Sequence, residues 1–167
     1  MTSPFIAVIP ARLASTRLPR KPLADIGGAP MVVRVAQQAA KSKASRVLVA
    51  TDSDEILKVC ESYGIESYLT SNSHPTGTDR LSELVKLLNL SKDEIVVNVQ
   101  GDEPFIPPSL IDSVANSLAN HPDCAISTAA VPITDDAESQ SPHVVKVVQN
   151  FRGEALYFSR SRIPYER

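Results

Sequence analysis

Short apolar runs alternate with stretches of helical periodicity along this chain, and that alternation most limits what it can fold into. Residues 5–9 (FIAVI) form an unbroken apolar run with turn residues on either side, the pattern of a central strand covered on both faces. After a basic loop and the Gly27-Gly28 turn, Pro30 suits the first position of a helix, and Val32, Val35, Ala36 and Ala39 follow helical spacing. Residues 46–50 return to strand character. Asp52 with Glu55 three residues later resembles a capping box for a second helix running to Tyr63, with Gly64 ending it in the left-handed conformation.

The pattern then repeats. Residues 65–69 read as a strand and 70–78 as a loop, with Thr78 capping a helix that buries Leu81, Leu84, Val85 and Leu88. Residues 94–99 form the strongest apolar strand and end in QGDEP. Pro107 and Pro108 open a helix with Leu110, Ile111, Val114, Ala115 and Leu118 facing inward, and residues 125–131 and 144–148 read as two further strands. The closing segment, LYFSRSRIPYER, is less regular. Strands alternating with amphipathic helices imply βαβ units, hence an α/β fold with a mostly parallel sheet and helices on both faces.

Composition narrows the functions available. With 167 residues, 43% of them hydrophobic, there is material for one ordinary core and one domain, residues 1–167. Seventeen Lys plus Arg against nineteen Asp plus Glu give a formal charge of −2, so no global basic field draws in nucleic acid. Any anion site must be local. Cys60 and Cys124 stand apart without a C-x-x-C partner, which fits reduced thiols in the cytoplasm rather than disulfides or zinc ligands. No apolar run approaches the length of a membrane span, and the first is cut by Pro10 without a basic leader, so a soluble, cytoplasmic protein is expected.

Four constellations carry possible chemistry. The first is the loop after residues 5–9, which holds Arg12, Arg17, Arg20 and Lys21 within ten residues, stiffened by Pro10 and Pro19. Arginine forks and a mobile lysine, separated by small residues, suit polyphosphate, and open α/β sheets bind ligands at the carboxyl ends of their strands. The alternative is a solvated loop whose cations pair with surface carboxylates. The second is the GDEP turn, where Asp102 is the metal candidate: magnesium takes one or two carboxylates with phosphate oxygens and water. A plain strand-to-helix turn is the alternative there. If the strands before Arg12 and Asp102 are parallel neighbours, both loops open on one cleft.

The third constellation is SHPTGTDR, residues 73–80. His74 has no catalytic partner nearby in sequence, and Arg80 stands in a first helical turn against the macrodipole. A ligand or a compensating carboxylate would each account for it. The fourth is YFSRSRIPY, residues 157–165, whose arginines and aromatic rings could grip a carboxylated sugar or form an interaction surface. G-x-G-x-x-G, G-x-x-x-x-G-K-[ST] and G-x-S-x-G are all absent, so neither a dinucleotide-binding nor a P-loop nor a nucleophile-elbow reading is supported.

IPARLASTRLPRKPL (9–23), TGTDRL (76–81), VNVQGDEP (97–104), VVKVV (144–148) and ALYFSRSRIPY (155–165) together resemble the CMP-Kdo synthetases, the 3-deoxy-manno-octulosonate cytidylyltransferases. The related CMP-sialic acid synthetases share a basic first loop, but STRLP and NVQGDEP are closer to the Kdo enzymes. The resemblance implies a nucleotide-diphospho-sugar transferase-like (Rossmann-like) fold, magnesium as cofactor, CTP and Kdo as substrates, CMP-Kdo and pyrophosphate as products, a place in lipopolysaccharide synthesis, and a homodimer. It assigns the triphosphate to Arg12 and Lys21 with Ser15 in the same loop. It gives cytidine recognition to Arg80 and Gln100, magnesium to Asp102, and the Kdo side to Arg160.

Two departures accompany it. The family's L-P-G-K-P reads L-P-R-K-P here, with Arg20 in place of glycine. Family members also continue past the equivalent of Arg167 through a segment bearing a second metal carboxylate, further sugar contacts and the dimer-forming part. On that comparison the expectation is a chain that binds CTP but turns over poorly, and the alternatives are activation of another 2-keto sugar acid such as sialic acid, or a non-catalytic nucleotide-binding fragment of the fold.

Overall fold

The computed structural model describes residues 4–14 and 18–165, in two compact units divided after Ser127. In the first unit, β1 (Phe5–Ala11), β2 (Arg46–Thr51), β3 (Ser67–Leu69) and β4 (Ile95–Asn98) form one parallel sheet in the order β3-β2-β1-β4. Helices α1 (Met31–Ala39), α2 (Asp54–Ser62), α3 (Gly77–Leu87) and α4 (Pro108–Ala119) connect and follow the strands.

The unbroken apolar run explains why β1 is central. Its alternate side chains Phe5, Ala7, Ile9 and Ala11 enter one core with Val32, Val35 and Ala36 of α1, Ile56 and Cys60 of α2, and Ile111 and Ala115 of α4. Ile6 and Val8 enter a second core with Leu48 and Ala50 of β2 and Leu81 and Leu84 of α3. Helices therefore cover both faces, as the alternation predicts. Each buried Val, Ile, Leu or Phe contributes about 1.5–3 kcal/mol, so the sheet's centre is its least movable part. No helix among the described residues is long and apolar enough to cross a membrane.

Several boundaries differ from expectation for local reasons. Ser53, not Asp52, caps α2 by accepting from the Ile56 N–H, which leaves the Asp52 carboxylate free to act elsewhere. Thr76, not Thr78, caps α3, in a full capping box with Asp79. Pro30 and Pro107 stand one place earlier than expected, as the residues before α1 and α4. Leu110 is exposed on α4, and the buried stripe there narrows to Ile111 and Ala115.

The second unit holds a short helix α5 (Asp136–Gln140) and an antiparallel hairpin of β5 (Lys146–Gln149) and β6 (Ala155–Ser159). Residues 144–148 predict a strand, and β5 overlaps their second half and runs one residue further; its partner is part of the closing segment whose pattern is irregular. Residues 125–131 form no strand. Ile126 and Val131 are exposed there and no ladder partner pairs with the segment, so its β propensity goes unused.

Candidate nucleotide and phosphate site

Parallel pairing brings three strand ends to one edge of the sheet. Ala11 sits beside Thr51, Val8 sits beside Asn98, and the Val99 N–H donates to the Val8 carbonyl at 2.9 Å. The loops bearing Arg12, Asp52 and Gln100 to Asp102 therefore leave on the same side. Glycine sets how tightly they pack: a Cβ on Gly101 would lie 2.6 Å from the Pro10 carbonyl oxygen, and one on Gly77 would lie 3.2 Å from the Pro10 ring. The end of β1 is thus flanked by the GDEP turn and by the start of α3. This is the neighbourhood of β1 and β4 on which the shared cleft depended.

Charges meet across that edge. Lys21, opening a single 3-10 turn (Lys21–Leu23), donates to Asp102 Oδ2 at 2.6 Å, both side chains being partly open to solvent. Arg20 precedes it in the left-handed conformation, φ 58° and ψ 26°, and its guanidinium pairs with Glu55 at the start of α2. The residue standing where the family pattern has glycine thus occupies a backbone geometry that glycine takes at lower cost. Arg12 is exposed directly after β1 and pairs with no described residue. Ser15 and Arg17 lie outside the described residues.

Arg80 resolves the macrodipole conflict through a carboxylate. Only 2% exposed, it donates to Asp52 Oδ2 at 2.8 Å and to Thr70 Oγ1 at 2.5 Å, and Thr70 in turn donates to the Thr51 carbonyl. Asp52 Oδ1 also accepts the Leu13 N–H at 3.4 Å. Gln100 lies exposed beside the GDEP turn, its carbonyl accepting the Glu103 N–H. Arg160 belongs to the second unit, where it donates to the Pro142 carbonyl at 3.0 Å. There Lys146 is buried and gives its ammonium to the carbonyls of Ser141, Val144 and Arg160.

Sequence reasoning missed Asp52 and Glu55 as partners of site cations because both were read as helix-capping residues. The signal was present: Arg80 in a first helical turn calls for a carboxylate, and Asp52 follows a buried strand. His74 pairs with Glu83, and this hydrogen bond, followed by one from the Ser71 N–H, holds the Glu83 carboxyl below the usual range. Burial pushes the Cys60 thiol up to about 11, so it is a packed apolar side chain and no nucleophile.

Chemically, this edge offers an arginine that pairs with no described residue, a lysine and a half-exposed carboxylate within one packed set of loops. Among the described residues no three His, Cys, Asp or Glu side chains cluster as a metal cage. A single carboxylate with one oxygen on a lysine matches a magnesium ion that brings phosphate oxygens and water as its other ligands. No nucleophile is needed for phosphoryl chemistry of that kind.

Comparisons with known proteins agree with this geometry. Residues 6–167 match a family described as Cytidylyltransferase. Two relatives named 3-deoxy-manno-octulosonate cytidylyltransferase are similar over 98% of the chain, one from Polynucleobacter necessarius subsp. necessarius (strain STIR1) at 64% identity and one from Polynucleobacter asymbioticus at 63%. The chain spans 64% of the length of each. A solved structure of CMP:2-keto-3-deoxy-manno-octonic acid synthetase complexed with CTP superposes with a TM-score of 0.85 at 39% identity, over 99% of this chain and 67% of that one.

Proposed function

The chain belongs to the cytidylyltransferase family, and from that premise we propose that it serves the transfer of a cytidylyl group from CTP to Kdo, giving CMP-Kdo and pyrophosphate for lipopolysaccharide synthesis. The names of its relatives support the sugar, and the Lys21–Asp102 contact at 2.6 Å, at the sheet edge where Arg12 follows β1, carries the reading of the site.

In the proposed reaction the anomeric hydroxyl of Kdo attacks the α-phosphorus of CTP in line. The new bond joins the sugar oxygen to phosphorus, the bond to the β-phosphate bridging oxygen breaks, and the hydroxyl proton passes to solvent. Arg12 and Lys21 hold the triphosphate and take up charge on the departing pyrophosphate, so positioning and charge neutralisation do most of the catalysis. Magnesium, held by Asp102 together with the phosphates, would supply further neutralisation of that charge. Gln100 is assigned to the cytidine and Arg160 to the sugar carboxylate, for which a guanidinium fork is chemically suited. A cytoplasmic location suits the free thiols of Cys60 and Cys124, and the homodimer follows the family resemblance.

Calorimetry with CTP and magnesium, followed by pyrophosphate release on adding Kdo, tests the proposal. CTP binding together with slow, magnesium-dependent release that Asp102→Asn abolishes is the expected result. Release by Asp102→Asn at the unmodified rate would remove Asp102 from the mechanism, and a chain that neither binds CTP nor responds to Kdo would overturn the assignment.

A further inference from the structure

We infer that Asp52 is a positioning residue for Arg12, and that Arg80 serves this role by neutralising Asp52 beside the phosphate loop. The inference deepens the proposed triphosphate site and rests on that reading for the identity of the nucleotide.

Arg12 must reach an anion from a fixed main chain if its guanidinium is to be aimed before binding. Its two neighbours are both held: Ala11 is in register with Thr51 in the β1–β2 ladder, and the Leu13 N–H reaches Asp52 Oδ1 at 3.4 Å. Both restraints come from adjacent residues of one strand end, Thr51 and Asp52. That end is itself secured, because the Thr51 carbonyl accepts from the Thr70 N–H and hydroxyl, and the Thr51 hydroxyl accepts from the Ser53 N–H. The chain of contacts runs Leu13, Asp52, Arg80, Thr70, Thr51, and joins the ends of β1, β2 and β3 to the first turn of α3.

The charge of Asp52 would by itself be a liability there. A bare carboxylate hydrogen-bonded to the residue next to the phosphate-binding arginine would repel a triphosphate and compete for Arg12. Arg80 removes that field: its side chain is 3% exposed and the Asp52 side chain 13%, so the pair is shielded from water and Asp52 stays neutralised. Asp52 can then act as a hydrogen-bond acceptor for the loop without acting as an anion toward the ligand. This accounts for a cation placed against the α3 dipole.

The test measures binding of CTP with magnesium, and separately of inorganic tripolyphosphate, which has no base to recognise. Asp52→Ala should weaken both ligands by a similar factor, about tenfold or more, because the loss falls on the phosphate loop. Asp52→Asn keeps an acceptor for the Leu13 N–H and should hold both affinities within about threefold, although its melting temperature drops as the Arg80 pairing is lost. Where Asp52→Ala fails to fold, Asp52→Ala with Arg80→Met leaves no unpaired charge and should show the same tenfold weakening. Unchanged tripolyphosphate affinity in the alanine variants, or equal weakening by Ala and Asn, would overturn the inference. An unmodified chain that binds tripolyphosphate but does not prefer CTP would instead sink the nucleotide assignment, and the phosphate arm would still decide the role of Asp52.

Discussion

Replacing Gly101 by alanine probes the contact that holds the two site loops together. The added Cβ would stand 2.6 Å from the Pro10 carbonyl oxygen, whereas real Cβ atoms essentially never come within 3.0 Å of such a neighbour and reach ordinary contact from 3.4 Å. The gap must open from 2.6 to at least 3.0 Å, and to 3.4 Å for full relief. Pro10 cannot supply the movement, because Ile9 and Ala11 on either side are buried and laddered to β2. The GDEP turn must move instead, and it takes Asp102, with its contact to Lys21, along with it. An overpacked contact of this kind costs about 1–3 kcal/mol, and the exposed ion pair adds at most about 1 kcal/mol. At about 2–4 °C per kcal/mol for a chain of this size, the melting temperature should fall by roughly 2–16 °C.

Function should suffer more than stability. A displacement approaching 1 Å between the groups proposed to act on one phosphate would cost on the order of a hundredfold in rate, so Kdo-dependent pyrophosphate release should fall ten- to a hundredfold. Gly77→Ala is the internal control. Its Cβ would meet only the edge of the Pro10 ring at 3.2 Å, and alanine in the first turn of α3 gains up to about 1 kcal/mol of helix propensity over glycine. Melting curves and pyrophosphate release for both variants decide the matter: Gly101→Ala as stable and active as the unmodified chain, or less harmful than Gly77→Ala, would refute the reasoning.

Two other substitutions isolate single terms. Arg20→Ala and Arg20→Gly both remove the pair with Glu55, but only glycine relieves the left-handed backbone, so Arg20→Gly should be the more stable by about 1 kcal/mol in denaturant titration; equal stability would show that no strain resides there. Glu83, hydrogen-bonded to His74 and to the Ser71 N–H, has a folded pKa below its unfolded value of roughly 4.3. Its stabilisation is therefore present above that pH and lost as the pH falls through the folded value. Glu83→Gln should lower the melting temperature at pH 7, and the gap to the unmodified chain should narrow only as the pH falls below the unfolded value and on through the lowered folded one; a gap that stays constant through that acid range would contradict the linkage.

The parallel sheet was legible because its signal is local. A run such as residues 5–9, apolar on both faces, has few places to go except a covered central strand, and the alternation with helices then implies parallel neighbours. The placement of Arg12 near Asp102 followed from that topology alone. What the sequence could not supply was partner choice. Asp52 and Glu55 stand at capping spacing, yet Ser53 between them makes the cap, because which oxygen meets the free N–H groups depends on how the chain leaves β2. The strand assigned to residues 125–131 failed for a related reason: β propensity needs a ladder partner, and propensity cannot reveal that none pairs with it. Lys146 inside an apolar strand gave no hint of the three carbonyls that it satisfies.

The pairing pattern also says how this edge can receive a highly charged ligand. Among the described residues, Arg20, Lys21 and Arg80 each have a carboxylate partner, and Arg12 has none. The pairs differ in how easily they exchange. Arg80 and Asp52 are shut away from water, and separating them would leave a buried charge unpaired, at several kcal/mol; they form fixed framework. Lys21 and Asp102 remain 35% and 52% exposed, and a contact of that kind is worth at most about 1 kcal/mol. In the proposed reaction it would hold the lysine and the carboxylate near each other before binding, and would yield at little cost once phosphate offered Lys21 a stronger partner and a cation took Asp102. A site whose every cation was deeply paired could not bind a triphosphate without partial unfolding, and one with no pairs would repel itself when empty. The division between one buried pair and two exposed, exchangeable pairs avoids both.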